Sequence, residues 1–191
     1  MSRHKIVQAA IELFALKGYH QASMDEIAIR AGVAKGSLYY HFTGKSQLFQ
    51  TIVSEGLRQI TTRIDAELNS SASIHEQIQN IVGYYVDLFL EYSDLAHIVF
   101  HELSNGIEEE VLMEIRQLRN NHLTYMAGIL AEGVKLGYIR DIDCRLAASG
   151  VFGMLDGCCD YFLRNNSQVT RQQVKSFISS TVLSGIVTKN V

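Results

Sequence analysis

Apolar positions recur at helical spacing along almost the whole chain. Ile6, Ala10, Leu13 and Phe14 share one helical face, and Gly18 stops that run. Ser23 stands where an N-cap belongs, and Glu26 three residues later completes a capping box. The short helix it opens, over 24–31, turns Ile27, Ala28 and Ala31 inward. Gly32 then supplies the left-handed residue behind it. A second short helix over about 35–41 has Leu38 and Phe42 on its inner side, and a longer one over 45–68 carries Leu48, Ile52 and Leu57. After the small polar run Asn69 to Ser73, the pattern predicts helices near 74–92, 94–104, 107–136, 143–164 and 170–188. Strand-like alternation persists nowhere, and proline is absent, so little interrupts helices. The expected fold is all-α.

Composition narrows this picture without changing it. The 191 residues are 47% apolar and 19% charged, a balance suited to a soluble globular chain with a sizeable core. No apolar run reaches the roughly 18–20 residues that span a bilayer, and the N-terminus lacks a secretory pattern. Cys144, Cys158 and Cys159 match no metal or redox spacing, and adjacent cysteines would bridge only under strain. Buried thiols in a reducing cytoplasm are therefore expected, with no cofactor and no metal. His97 and His101 have a spacing that could hold zinc on one helical face, but no third ligand accompanies them. They read as pocket or surface histidines.

Charge adds one asymmetry. Residues 1–50 carry six Lys or Arg against three acids, a net of +3, while the whole chain is −3, leaving −6 for the remainder. A basic head on an acidic body points to a polyanion at the head.

That head contains GVAKGSLYYHFTGK, Gly32 to Lys45. It does not fit a phosphate-cradling P-loop, because Lys35 precedes Gly36 and a helix, not a buried strand, comes before. Two short helices joined at Gly32 instead have helix-turn-helix geometry. With Leu38 and Phe42 turned inward, Lys35, Gly36, Ser37, Tyr39, Tyr40 and His41 surround the outer side and start of the second helix. Such residues suit a major groove: lysine meets phosphate or guanine, hydroxyls donate to phosphate, and glycine admits close backbone approach. Ser23 and Lys45 stand at neighbouring helix starts, which attract phosphate.

The segment A-G-V-x-K-G-x-L-Y-Y-H-F-x-x-K, with its surroundings over residues 3–53, resembles the DNA-binding domain of the TetR family of transcriptional regulators. The resemblance implies a DNA-binding surface of Ser23, Lys35, Gly36, Ser37, Tyr39, Tyr40, His41 and Lys45. Ala34 departs from it, since the family usually has a polar N-cap there. The organisation expected is an N-terminal three-helix helix-turn-helix domain, 1–46, joined to a larger helical effector-binding and dimerisation domain, 47–191, with helix 45–68 connecting them. The family also implies a homodimer on a double-stranded operator, most simply a repressor released by a small molecule. A helical protein-interaction module with a vestigial helix-turn-helix is the other reading. No enzyme signature is present, so catalysis is not expected.

In the body, Ala147, Gly150, Gly153 and Gly157 fall within one stripe flanked by Met154 and Tyr161, and Val174, Phe177, Ile178 and Thr181 recur compatibly on the last helix. Small residues in line let another helix approach, and the two helices are expected to pair with their symmetry mates. Tyr84, Tyr85, Phe89, Tyr92, Phe100, Met113, Tyr125 and Met126 are the expected lining of an adaptable effector pocket. Acids such as Asp87, Glu91 and Asp156 could select a cationic ligand.

Overall fold

The structure, a computed structural model, describes residues 2–92, 109–165 and 167–188. Among them are eight helices: α1 Ser2–Gln21, α2 Met24–Ala31, α3 Lys35–His41, α4 Lys45–Leu68, α5 Ile74–Glu91, α6 Glu109–Lys135, α7 Cys144–Arg164 and α8 Arg171–Ile186. The expected helix 94–104, with Phe100, His97 and His101, lies outside the described residues. The described residues form two compact units. One is Met1–Arg58 with the described part of Tyr92–Arg119, and the other is Gln59–Glu91 with Asn120–Val191. The dividing points fall inside α4 and α6, so neither helix belongs to one unit alone.

In the first unit the local signals act as their chemistry dictates. Gly18 takes φ 75° and ψ 164°, breaking the helical run inside α1. The Ser23 hydroxyl accepts from the Glu26 N–H at 3.2 Å, and the Ser23 N–H donates to the Glu26 carboxylate at 3.1 Å. Two orphan donors of α2 are thereby satisfied. Gly32, at φ 64°, ends α2 in the left-handed region, and its N–H donates to the Ile29 carbonyl. Ile6, Ala10, Phe14, Ile27, Leu38, Leu48 and Phe49 are fully or almost fully buried around this frame. Phe14, Tyr19 and Phe49 meet with centroids 5.0–5.7 Å apart, in tilted and edge-on contacts. Val111, Leu112 and Ile115 of α6 join the same core. Sequence spacing gave no hint of that contribution, which comes from a segment far along the chain.

The second unit packs α5 against α7 and α8. Its buried positions include Val82, Tyr85, Val86, Phe89, Leu155, Cys159, Val174, Ile178 and Val182. Asp143 caps α7 by accepting from the Arg145 and Leu146 N–H groups, and Thr170 with Gln173 forms a second capping box at α8. A short antiparallel bridge, Ile139 with Val187, ties the turn after α6 to the end of α8. Gly133 is required beside it, because a Cβ there would come within 2.6 Å of Ile139 Cγ1. No helix among the described residues is long and apolar enough to cross a membrane.

Candidate nucleic-acid interface and effector cavity

The outer surface of α3 is built by elimination. Leu38 and Phe42 are buried, while Tyr39 is 42% and Tyr40 86% exposed. Lys35 and Gly36 are exposed as well. Three polar-tipped rings in succession cannot all face one core, and the two apolar residues flanking them take that place. Ala34 offers α3 no side-chain cap, so its first N–H groups lack that partner.

Several of the expected contact residues already have partners. Lys35 Nζ pairs with Asp25 at 2.8 Å, and this contact pushes the lysine pKa further up, so it is firmly cationic. His41 Nε2 lies 2.7 Å from the Ser2 hydroxyl, joining the end of α3 to the start of α1. Lys45 differs most from expectation. Its ammonium donates to the carbonyls of His20 and Ala22, both at 3.1 Å, and lies 4.5 Å from the Tyr19 ring centroid. It therefore closes the carbonyl end of α1 and leans on an aromatic face. Ser23 is likewise engaged as the cap of α2, with its N–H and hydroxyl on Glu26. Glu26 in turn is held down to about 2 by Lys17 and by both Ser23 bonds.

The second unit contains a cavity of about 1080 Å³. Of the residues named for an effector pocket, Tyr85, Tyr125 and Met126 line this cavity. The other expected residues do not. Tyr84 is turned toward Glu67 and Arg63, and Phe89 is packed away in the core. Tyr92 packs against the core of the first unit, and Met113 is 56% exposed on α6. Phe100 lies outside the described residues. Most of the wall comes instead from aliphatic side chains that sequence reading passed over, among them Ile78, Ile81, Val82, Ile129, Val151, Leu155 and Ile139, together with Phe152. A search for aromatic residues finds amphipathic rings, but aliphatic walls look like ordinary core until the helices are assembled. Asp87 does not await a cationic ligand, because Arg171 at 3.3 Å and Lys175 at 2.7 Å already pair with it.

Tyr85 and Tyr125, both on this wall, join it to a polar cluster behind it. Tyr85 and His122 are both buried, with the Tyr85 oxygen 2.6 Å from His122 Nε2. Burial pushes the imidazole down to about 4, so it is neutral near pH 7, and burial pushes the Tyr85 hydroxyl up. The His122 ring stacks on Tyr125, whose hydroxyl donates to Asp65. Sequence pattern singled out neither His122 nor Phe152.

The stripe on α7 is open. Gly150, Gly153 and Gly157 are exposed, and a Cβ on any of them would meet nothing in the chain. Tyr161 is 53% exposed, Phe177 58%, and Leu146, missed in the sequence, 71%. Ala147, Met154 and Thr181 are half-buried beside them. Val174 and Ile178 are buried within the chain itself and are not available to a partner. The spacing was right for them, but they lie on the inward side of α8. The cysteines are free, with Cys159 buried and its thiol pushed up to about 12, chiefly by burial. No group of three metal-ligating side chains occurs among the described residues.

Two family models match the chain. The bacterial regulatory proteins of the tetR family match residues 6–52, and the tetracyclin repressor-like C-terminal domain matches residues 71–186. The fatty acid metabolism regulator protein of Bacillus subtilis is 27% identical over 186 residues, covering 97% of this chain and 95% of that protein. The crystal structure of the transcriptional regulator FadR from Bacillus subtilis in complex with stearoyl-CoA superposes with a TM-score of 0.80 at 27% identity, covering 96% of this chain and 98% of that one. The fatty acid degradation regulator FadR from Bacillus halodurans has the same fold, with a TM-score of 0.80 at 24% identity over 96% and 95% of the two chains. A helix-turn-helix head, a cavity-bearing helical body and two matching family models together make this chain a ligand-responsive DNA-binding transcriptional regulator of the TetR family.

Proposed function

We propose that this regulator is a homodimeric repressor that grips a pseudo-palindromic operator through α3 and releases it when a long-chain acyl-CoA enters the cavity of the second unit. The observation that carries the DNA reading is the α3 surface, where Tyr40 keeps 86% of its area exposed one residue from the half-buried His41 and two from buried Phe42. An aromatic so placed adds nothing to the core and is suited to a groove. Lys35, Gly36, Ser37, Tyr39 and His41 complete the surface. Lys45 and Ser23 contribute by fixing helix ends, and Ser23 keeps its place at a phosphate-attracting terminus.

The largely apolar cavity supports a ligand with a long hydrocarbon part, as does the stearoyl-CoA held by the Bacillus subtilis relative. The exposed glycine stripe on α7, with Leu146, Tyr161 and Phe177 around it, supports a twofold partner. The protein acts in the cytoplasm by binding, without a catalytic step.

Fluorescence anisotropy with a labelled fragment of its own promoter tests this reading. The expected result is salt-dependent binding that weakens about 10-fold or more in Tyr40→Ala, while Lys35→Ala also lowers the salt slope by about one. Unchanged affinity in both variants would move the operator contact away from α3.

A further inference from the structure

The cavity wall is apolar almost throughout, and the polar groups on it are mostly spoken for. Tyr125 gives its hydroxyl proton to Asp65. Thr124 donates to the Asn120 carbonyl at 2.9 Å, and Gln77 donates to the Ala72 carbonyl at 3.1 Å. Tyr85 is different, because its partner is a neutral imidazole that can donate or accept. When His122 Nε2–H donates to the phenol oxygen, the Tyr85 proton is left for a ligand.

Position sharpens this. The α5 residues lining the cavity run from Ile74 to Tyr85, about 16 Å at 1.5 Å per residue, so Tyr85 stands at one end of an elongated apolar space. Phe152 lies edge-on to its ring at 5.6 Å. At the same end Arg145 donates to Thr124 at 3.1 Å and to Asn120, which puts an exposed cation beside the lining. No lysine or arginine is among the described lining residues. A carboxylate drawn inside would therefore lose water without gaining a counter-charge. An uncharged carbonyl would not.

We propose that Tyr85, oriented by His122, is the polar reading point of the cavity, donating a hydrogen bond to the carbonyl oxygen of an acyl thioester whose chain lies along the apolar wall. The anionic head of such a ligand stays outside, on the Arg145 side. This rests on the effector reading above and specifies which atom of the ligand is recognised.

The test is calorimetric titration of the full chain with three probes below their micelle thresholds: palmitoyl-CoA, S-hexadecyl-CoA, in which a methylene replaces the carbonyl, and palmitate. The wild-type protein is expected to bind palmitoyl-CoA about 5–10-fold tighter than the thioether, the worth of one hydrogen bond, and palmitate more weakly than either. Tyr85→Phe is expected to bring the thioester down to the thioether and to leave the thioether within about twofold. Equal wild-type affinity for both CoA ligands, or an equal loss of both in Tyr85→Phe, overturns the role of Tyr85 and leaves the effector reading standing. Palmitate binding as tightly as palmitoyl-CoA overturns recognition of an uncharged carbonyl. No binding of any probe to the wild-type protein removes both readings. The wild-type comparison requires no variant, so a folding defect in Tyr85→Phe cannot decide the outcome.

Discussion

Tyr40 and Leu38 are two residues apart on one helix, yet one is 86% exposed and the other wholly buried. The difference follows from helical geometry, since positions two apart point to different sides. The same logic made the outer side of α3 legible from residue order alone. Lys45 was not legible in this way, because its role depends on two carbonyls more than twenty residues earlier. His122 is a similar case, identified only when α5 and α6 bring Tyr85 to it. Its buried imidazole, held down to about 4 against 6.5 when free, makes a directional prediction. Between those values the unfolded chain binds a proton that the folded one does not. Stability is therefore at its full value above pH 6.5 and falls as pH drops toward 4. Urea unfolding at pH 7.5, 6, 5 and 4 is expected to show a decline that is shallower in His122→Gln. Parallel pH profiles for the two proteins would mean that His122 titrates normally.

At the scale of elements, strong local signals set the head. Ser23 with Glu26, Gly32 in the left-handed region and Gly18 breaking α1 each act within a few residues. Ser23→Ala removes a capping oxygen and is expected to destabilise the fold by about 1 kcal/mol, measured as a shift in the urea midpoint at unchanged slope. A change below about 0.3 kcal/mol would show that Glu26 holds the cap without it. The bounds of α3 and α4 were also readable, from the inward spacing of Leu38 and Phe42 and from the polar run that follows Leu68, although Ala34 gives α3 no side-chain cap. The lining of the cavity was not. It is assembled over residues 68–186 from the end of α4, from α5, α6, α7 and α8 and from the segments joining α4 to α5 and following α6. An aliphatic side chain bordering a void has the same pattern as one bordering a neighbour. The open stripe proposed as an interface stood between these extremes: glycine spacing marked the exposed face of α7, but periodicity on α8 could not separate outward Phe177 from inward Val174 and Ile178.

For the whole molecule, the proposed function links two equilibria, pairing of chains and binding of DNA against effector. Phe177→Glu puts a charge on the exposed face of α8 without touching the buried Val174 and Ile178. It is expected to shift the species sedimenting at micromolar concentration from a dimer toward the 21.4 kDa chain. A variant that remains fully dimeric would place the contact elsewhere. An effector can release DNA only by binding the DNA-incompetent state more tightly, so tight binding alone is not enough. The most direct measurement is therefore a titration of palmitoyl-CoA into the preformed complex of the protein with its labelled promoter fragment, followed by anisotropy. The expected result is saturable loss of the complex, with an apparent DNA affinity at least about 10-fold weaker at full ligand occupancy. A complex that persists unchanged while calorimetry shows the ligand bound would contradict a ligand-released repressor.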